Sequence, residues 1–593
     1  MKMVKSLVLG SSAILLAVSG AQAADLPVKA KAVEYVRICS LYGAGFWYIP
    51  GTDTCIKIGG YLRADLNIHA GNSDQPWWNG DPGLQDRYVN QYNDYARLAL
   101  TIDTRTATEY GVVRTFGQID STFATEGSTS SINVGSTLNA GALGGTLFNN
   151  TAGAGYMTPE FLFIQFAGFT FGKSSSAFNT PWHGFPGNNT AYLVGGYDTV
   201  TGINNIQYTA QFGNGVSATI GVDDSSANAY NRTQLFNATL IPNPANPGSA
   251  SPAVSVSAAT AASTALAATT ATQSGGNIGL YGSPSSLDTV AGTAYSGAFL
   301  PDVVGNIKVD QAWGMFQLSG ALHDVSPAYW ASANTPNAST LVGGNNLTGT
   351  ELSGHPDSKL GGAVSAALQI KNLPTGAGDD VKVEGTWGLG ATKYVLGTAG
   401  ALPGSFYMTK GNANTTAGTI AIGAITDGVY GGWQTPLQAG VQLTQGFGFR
   451  GAFNHNWDPY WSTSLFGGIA VIKYNDTAKN LWCESYGGTG SNGLAIPGVA
   501  APGGHPATPV AGTGYTCDPG FTMSQIGAVT RWTPVKNLTF SGEVMYSYLK
   551  TNMTGIATGT TSSSFPVAGG SGASWQYGNV GTVSFNLRAQ RNF

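Results

Sequence analysis

The sequence predicts an all-β chain, a transmembrane antiparallel β-barrel of sixteen strands with long extracellular loops. Three observations carry this: an alternating run at the end of the chain, an unusual composition, and short turns that alternate with long loops. The run is Val583, Phe585, Leu587, Ala589, Arg591 and Phe593, separated by Ser584, Asn586, Arg588, Gln590 and Asn592. Residues two apart share one face of a strand, so one face suits an apolar phase and the other suits water. Charged residues make up 10% of the chain, against about 25% in soluble proteins. Glycine, at 84 of 593 residues, is roughly twice as common as usual, and aromatics reach 11%.

Lys2 and Lys5 precede an apolar stretch over 7–18 and the small residues Ser19, Gly20, Ala21 and Ala23. A charged start, a short apolar core and a small-x-small site predict a secretory signal peptide over 1–23, with a mature chain from Ala24. Beyond it no apolar stretch is long enough for a spanning helix. Backbone polar groups in lipid must all be paired, so a spanning chain without helices must be a closed barrel. Residues 24–593 show no compositional break and read as a single domain.

The first strand, 56–68, sets Ile58, Leu62, Ala64 and Leu66 on one face and Lys57, Tyr61, Arg63, Asp65 and Asn67 on the other. Its length exceeds the roughly 9–11 residues a tilted strand needs to span. Next come 96–103, with Arg97 and Asp103 inward, and 112–120. Strands 161–166 and 169–173 flank Ala167-Gly168. Strands 203–212 and 216–222 flank Asn214-Gly215, a hairpin signal because both residues tolerate positive φ. Strands 304–310 and 314–323 follow, then 361–370 and 380–389 around Pro374 and Gly376. Strands 447–456 and 462–474 turn at Asp458-Pro459, and 523–532 and 538–549 turn at Thr533-Pro534. The last is 578–593. An even number of strands places both ends of the barrel on the periplasmic side.

No charged residue occurs over 233–287 or 551–587, where Ala, Ser, Thr and Gly dominate. These segments, and 224–302 as a whole, read as mobile or low-complexity surface loops. The chain holds 27 basic and 31 acidic residues; without Lys2 and Lys5 the balance is 25 against 31, a net −6. No basic cluster occurs, which argues against nucleic acid as a partner. Cys39, Cys55, Cys483 and Cys517 form two local pairs, as expected of disulfides in an oxidising compartment. Three pairings are possible, of which Cys39–Cys55 with Cys483–Cys517 is the simplest. No Cys/His spacing predicts a metal site, and no cofactor is expected.

The run from Cys39 through Phe46-Trp47-Tyr48 to Cys55, continued by Ile56-Lys57-Ile58-Gly59-Gly60-Tyr61-Leu62-Arg63, resembles the amino-terminal signature of the alphaproteobacterial porins. So do Phe163-Ile164-Gln165-Phe166-Ala167-Gly168-Phe169-Thr170-Phe171-Gly172-Lys173, Pro301-Asp302-Val303-Val304-Gly305-Asn306, Trp313-Gly314, Trp457-Asp458-Pro459, Trp532-Thr533-Pro534 and the terminal Phe593. The resemblance implies a multi-pass barrel of the bacterial outer membrane, usually a homotrimer, that passes small hydrophilic solutes and ions by passive diffusion. It implies that the third long loop, 174–202, folds inward and narrows the lumen. It also implies that Phe593 is the signal read by the outer-membrane insertion machinery. Two features depart from the pattern. The loops are longer and more neutral than expected, and Arg591 falls on the outward face near the rim, where it can snorkel.

A diffusion pore needs width and a field rather than a catalytic group. Arg63, Arg97 and Arg114 fall inward on the first three strands and predict a basic ladder on one wall, with a weak preference for anions. Asp198 is the carboxylate of the third loop and the candidate counter-charge. Asp65, Asp103 and Asp120 share the arginine strands, and pairing with them is the plainer role. Trp182 and His183 lie together in the third loop; packing of Trp182 against the wall is the expected role. Tyr88, Tyr92, Tyr95, Trp457, Tyr460, Trp461, Trp532 and Tyr546 suit aromatic girdles at the membrane interfaces. An outer-membrane enzyme is disfavoured, because no GxSxG elbow precedes a helix and the histidines are scattered. A substrate-specific channel and a surface adhesin remain as alternatives.

Overall fold

The computed structural model describes residues 37–71, 76–78, 85, 90–124, 148–150, 153–198, 201–225, 232–238, 240–242, 250–252, 294–330, 354–397, 405–411, 416–431, 436–487, 491–492, 494, 507–559 and 573–593. Residues 1–23, read above as a signal peptide, lie outside them, as do Tyr88, His505 and most of 224–302. The chain divides into a small unit ending at Ile56 and a large one from Lys57 onward. In the small unit a Cys39–Cys55 disulfide, Cα atoms 6.1 Å apart, closes a loop of 3₁₀ turn and short strand. Both cysteines and Phe46 are buried, and Tyr42 and Tyr48 pack on them.

The large unit is a closed antiparallel barrel of sixteen strands, each paired with its neighbours in sequence. These are β1 (Cys55–Ile68), β2 (Tyr92–Thr108), β3 (Gly111–Ala124), β4 (Gly153–Phe166), β5 (Phe169–Ser174), β6 (Ile203–Gly213), β7 (Val216–Asp223) and β8 (Asp302–Asp310). They continue with β9 (Gly314–Val325), β10 (Lys359–Lys371), β11 (Asp380–Leu389), β12 (Gln445–Asn456), β13 (Trp461–Lys473), β14 (Phe521–Val535), β15 (Leu538–Thr551) and β16 (Val580–Asn592). Every strand expected from the sequence is present. The ring closes where β16 pairs with β1, Leu66 opposite Leu587 and Tyr61 opposite Asn592. Phe593 completes the seam through reciprocal backbone hydrogen bonds with Gly60, at 3.0 and 3.2 Å.

Burial is inverted relative to a soluble sheet. On β9, Phe316, Leu318 and Leu322 are 42–52% exposed, whereas Gln317, Ser319 and His323 are at most 3% exposed. The exposed apolar face is the one that meets lipid, and the polar face lines the interior. Short turns lie at one end of the barrel and long connections at the other, so the short end faces the periplasm. Asn214 and Gly215 take φ of 48° and 73°, the left-handed pair that a two-residue hairpin demands. Arg591 points outward and its guanidinium donates to the Lys536 carbonyl in the neighbouring turn, the snorkelled position. Trp457, Tyr460, Trp461 and Trp532 are exposed as girdle residues should be, and Trp461 stacks on Trp532 at 5.8 Å. Tyr95 is an exception: it is buried on the inward face, in register with Ala124.

The described part of 551–587 corrects the reading of that segment as loose surface loop, while most of 224–302 lies outside the described residues. Strands Ser405–Gly411, Gly418–Ala424, Ala507–Pro509, Ile556–Gly559 and Ser574–Tyr577 form one five-stranded sheet drawn from three different loops. Helix α2 (Asp476–Gly487) packs with them; Asn475 caps it by accepting the Ala478 N–H (2.8 Å), and Asp476 sits in its first turn. Phe406, Met408, Ile420, Ile422, Trp482, Tyr486 and Trp575 share one core with Ile472, Phe521, Met523 and Leu549 at the ends of the barrel strands. A Cys483–Cys517 disulfide, Cα atoms 5.8 Å apart, ties α2 to the segment before β14. Each loop alone is too poor in apolar residues to bury a core. Pooled, they are not.

Glu484 on α2 is 4% exposed, and its Oε2 has no hydrogen-bond partner among the described residues. Burial pushes its carboxyl up to about 7, from an ordinary 4.5. Below about pH 4.5 folded and unfolded chains both hold the proton, while above about pH 7 the folded chain must bury a charge. Stability of the loop module should therefore fall as pH rises between those values. Glu484→Gln should flatten that fall, read as the rate of proteolytic cleavage in the loops at pH 5 and pH 8. Equal pH dependence in both proteins would refute it.

Candidate functional site

The third long loop, between β5 and β6, lies against inward-facing side chains of the barrel from β8 to β16. Asn306 on β8 and Gln317 on β9 donate to the carbonyls of Ala177 (2.5 Å) and Asn179 (2.8 Å). Trp182 packs on Met315 and Ala367, the anchoring role expected for it. Asn454 donates to the Pro186 carbonyl (3.0 Å), and Arg531 to that of Gly187 (2.6 Å). Glu543 accepts from the Asn189 N–H (2.5 Å) and the Thr190 hydroxyl (2.6 Å), and Arg588 donates to the Asn189 carbonyl (2.9 Å). Gln525 accepts the Val194 N–H (2.8 Å). The polar wall thus satisfies a loop backbone that water would otherwise have to solvate.

The strongest anchor is a fully buried ion pair. Arg450 Nε lies 2.6 Å from Glu384 Oε1, on adjacent strands in direct register. Arg450 also donates to the carbonyls of Leu193 (2.9 Å) and Tyr197, and Glu384 Oε2 accepts from the Thr180 hydroxyl (2.8 Å). Both ends of the loop therefore meet one charge-assisted knot. Glycines make room for it. A Cβ on Gly448 would stand 2.6 Å from the Gly195 carbonyl oxygen, and one on Gly468 would stand 2.2 Å from that of Val194.

A second connection also turns inward. Helix α1 (Lys393–Leu396), after β11, is buried throughout. Tyr394 stacks on Tyr197 of the third loop at 4.6 Å, meets Phe178 edge-on at 4.7 Å, and donates to Asp302 Oδ2 at the start of β8 (2.6 Å). Val395 sits over Gly388 and Gly446 of the wall. Asp302 also binds His323 Nδ1 (2.7 Å), and Asp427 accepts from the Thr392 N–H (2.7 Å) and the Tyr295 hydroxyl (3.0 Å). This network ties the connection to the rim of the barrel.

The inner faces of β1 to β3 hold Arg63, Arg97 and Arg114, but not as one level ladder: Arg97 stands opposite Thr122, whereas Arg114 stands opposite Arg105, eight residues away along β3. Arg63, Arg97 and Arg114 have side chains 18%, 21% and 28% exposed. Arg63 donates to Gln590 (3.0 Å) and lies 4.0 Å from Asp65; Arg97 pairs with Asp120 at 3.3 Å. Arg114 pairs with Asp103 at 3.0 Å and donates to Gln165 (2.9 Å). Asp65 has its closest ion pair with Arg588, at 2.6 Å. Asp198 does not face open water. It is 2% exposed and lies beside Gly184, with buried Lys393 of α1 in its electrostatic field. Burial lowers the pKa of that ammonium against the pull of Asp198. His183 is half-buried, its Nδ1 accepts from the Asn179 side-chain amide at 3.0 Å, and desolvation holds it below the usual imidazole range. Among the described residues no His, Cys, Asp or Glu group is arranged to hold a metal ion.

Sequence reasoning missed Glu384, Arg450, Arg531, Glu543 and Arg588 as functional positions. A signal existed, because each charge falls on the inward phase of its strand in a chain with few charges. The missing knowledge was which backbone each would meet.

A closed barrel with an apolar outer band, a polar interior and an inward-folded loop defines a transmembrane β-barrel of the bacterial outer membrane. The chain belongs to the Porin subfamily, which matches residues 25–569. Porin Omp2b of Brucella suis is 36% identical over 239 residues, covering 40% of this chain and 58% of that protein. The chain thus spans less than two thirds of the length of the curated relatives it matches. Among solved structures, the outer membrane channel DcaP of Acinetobacter baumannii aligns with a TM-score of 0.44 at 10% identity, over 92% of this chain and 99% of that one. An anion-selective porin from Comamonas acidovorans aligns with a TM-score of 0.34 at 8% identity, over 91% and 100%.

Breaking a buried pair from one side strands the other charge, at a cost of about 3–5 kcal/mol, while replacing both partners by apolar groups is far milder. Glu384→Gln should accordingly lower unfolding stability in detergent more than the double change Glu384→Leu with Arg450→Met. It should also raise current noise in planar bilayers by loosening the third loop. A double variant less stable than the single one would contradict this reading.

Proposed function

We propose that the protein forms a water-filled channel for passive diffusion of small hydrophilic solutes and ions, with a weak preference for anions. The observation that carries this reading is the uneven lining of the lumen. The third loop and α1 occupy the inner face from β8 to β16, while Arg63, Arg97 and Arg114 stand partly exposed on the remaining wall. A solute crossing the barrel passes between the loop and this wall, so the third loop, 174–202, sets the width and the arginines set the field. Each arginine shares a carboxylate, which keeps the preference weak and the side chains fixed in place. No catalytic step is proposed. The assembly is read as a homotrimer in outer-membrane lipid, inserted by machinery that reads Phe593. Residues 24–593 act as one domain after removal of 1–23.

The test is single-channel current in a planar bilayer under a KCl gradient. Ohmic steps in groups of three, with a reversal potential of anion sign, are expected. Replacing Arg63, Arg97 and Arg114 by Gln should move the reversal potential toward cations. A wild-type potential of cation sign overturns the arginine reading. Small currents that saturate with one solute class favour a specific channel, and a folded barrel without current favours an adhesin.

A further inference from the structure

We infer that the periplasmic half of the arginine wall carries a binding strip for aromatic carboxylates, formed by Phe116, Phe161 and Phe163 with Arg105 and Arg114. The inference rests on the channel reading above and adds a solute class to it. A water-filled lumen is lined by polar side chains, yet three phenylalanines occupy inward positions side by side. Phe116 shares its face of β3 with Arg114, Gln118 and Asp120, and Phe163 shares its face of β4 with Gln165. The alternate residues Ile119, Leu162 and Ile164 are 39–49% exposed on the lipid side. Phe116 stands opposite Phe163, and Phe161 opposite Gln118.

The rings form one surface. Phe116 stacks on Phe163 with centroids 5.3 Å apart and 28° between planes, and Phe161 lies 6.4 Å from Phe116. All three are half-buried, so part of each ring is open to the lumen. Among the described residues no ring of the third loop or α1 stacks on them. The Arg114 guanidinium lies 5.1 Å from the Phe116 centroid and 5.5 Å from that of Phe163. Arg105 stands directly opposite Arg114 in the β2–β3 register. Both reach Asp103 at 3.0 Å, and their side chains are 29% and 28% exposed. Two cations converge on one carboxylate, so the three groups together keep a positive charge.

These features select a ligand. Ring faces take a planar ring, and guanidinium forks take a carboxylate. A guanidinium within 5.5 Å of two ring centres lets one benzoate-sized molecule make both contacts. An aliphatic anion would use only the arginines, and a neutral aromatic only the rings.

The test measures block of KCl current by benzoate, acetate and benzyl alcohol, each scaled to the open current of the same protein. Benzoate should block at concentrations at least ten-fold below the other two. Phe116→Leu with Phe163→Leu keeps apolar volume but removes the stack, and it should bring benzoate block to the acetate level. Phe163→Leu alone, a milder change should the pair fail to fold, should reduce the benzoate preference partway. A role in packing alone would lower the unfolding temperature and leave the benzoate-to-acetate ratio unchanged, which overturns the strip. Equal block by benzoate and acetate in the wild type also overturns it while leaving the channel intact. Absence of KCl current in the wild type refutes the channel, and the strip with it.

Discussion

Backbone polar groups cannot be left unpaired in hydrocarbon, and that constraint organises the molecule. A sheet in lipid must close on itself, so β16 must find β1 across the whole length of the chain. Once the seam between Leu66 and Leu587 is made, the period of two divides the residues. Half of each strand contacts lipid and must be apolar. The other half faces inward and is free to carry charge. This division explains how so few charged residues still yield a densely charged interior.

The same constraint reappears inside the barrel. A loop that enters the lumen brings its own N–H and C=O groups away from bulk water. The inward side chains of β8 to β16 answer them, and Arg450, Glu384, Arg531 and Glu543 each bind backbone or hydroxyl groups of the third loop. Charges that would be costly if buried alone become the fixings of the loop. The wall not covered in this way is where Arg63, Arg97 and Arg114 keep some contact with water.

The strands were legible in the sequence because their signal is local: a period of two, a turn such as Asn214-Gly215, and a change of phase at each end. The inward arginines followed from the same count. Asp198 did not, since the charge whose field it shares, Lys393 of α1, lies far from it in the chain. The loop module was misread for a related reason. Gly418–Ala424 pairs in parallel with Ser574–Tyr577; the first is buried on both faces and shows no alternation, and the second alternates over only four residues, too few to announce a strand. Composition judged each loop separately, while the fold judged them together. The pair Glu384 and Arg450 shows the intermediate case, where phase was readable and partner was not.

The shared core of the loops has a consequence for the order of assembly. Its members lie on both sides of β12 to β15 in the chain, and Trp575 and Tyr577 arrive just before the last strand. Contacts of such sequence separation form late, after the segments between them have been fixed. The core of the module is therefore complete only with the carboxy-terminal strands in place, while its disulfide between Cys483 and Cys517, 34 residues apart, closes within a single loop. Variation at the cell surface is constrained in the same way. A change in any one of these loops is felt by the others through the packing they hold in common.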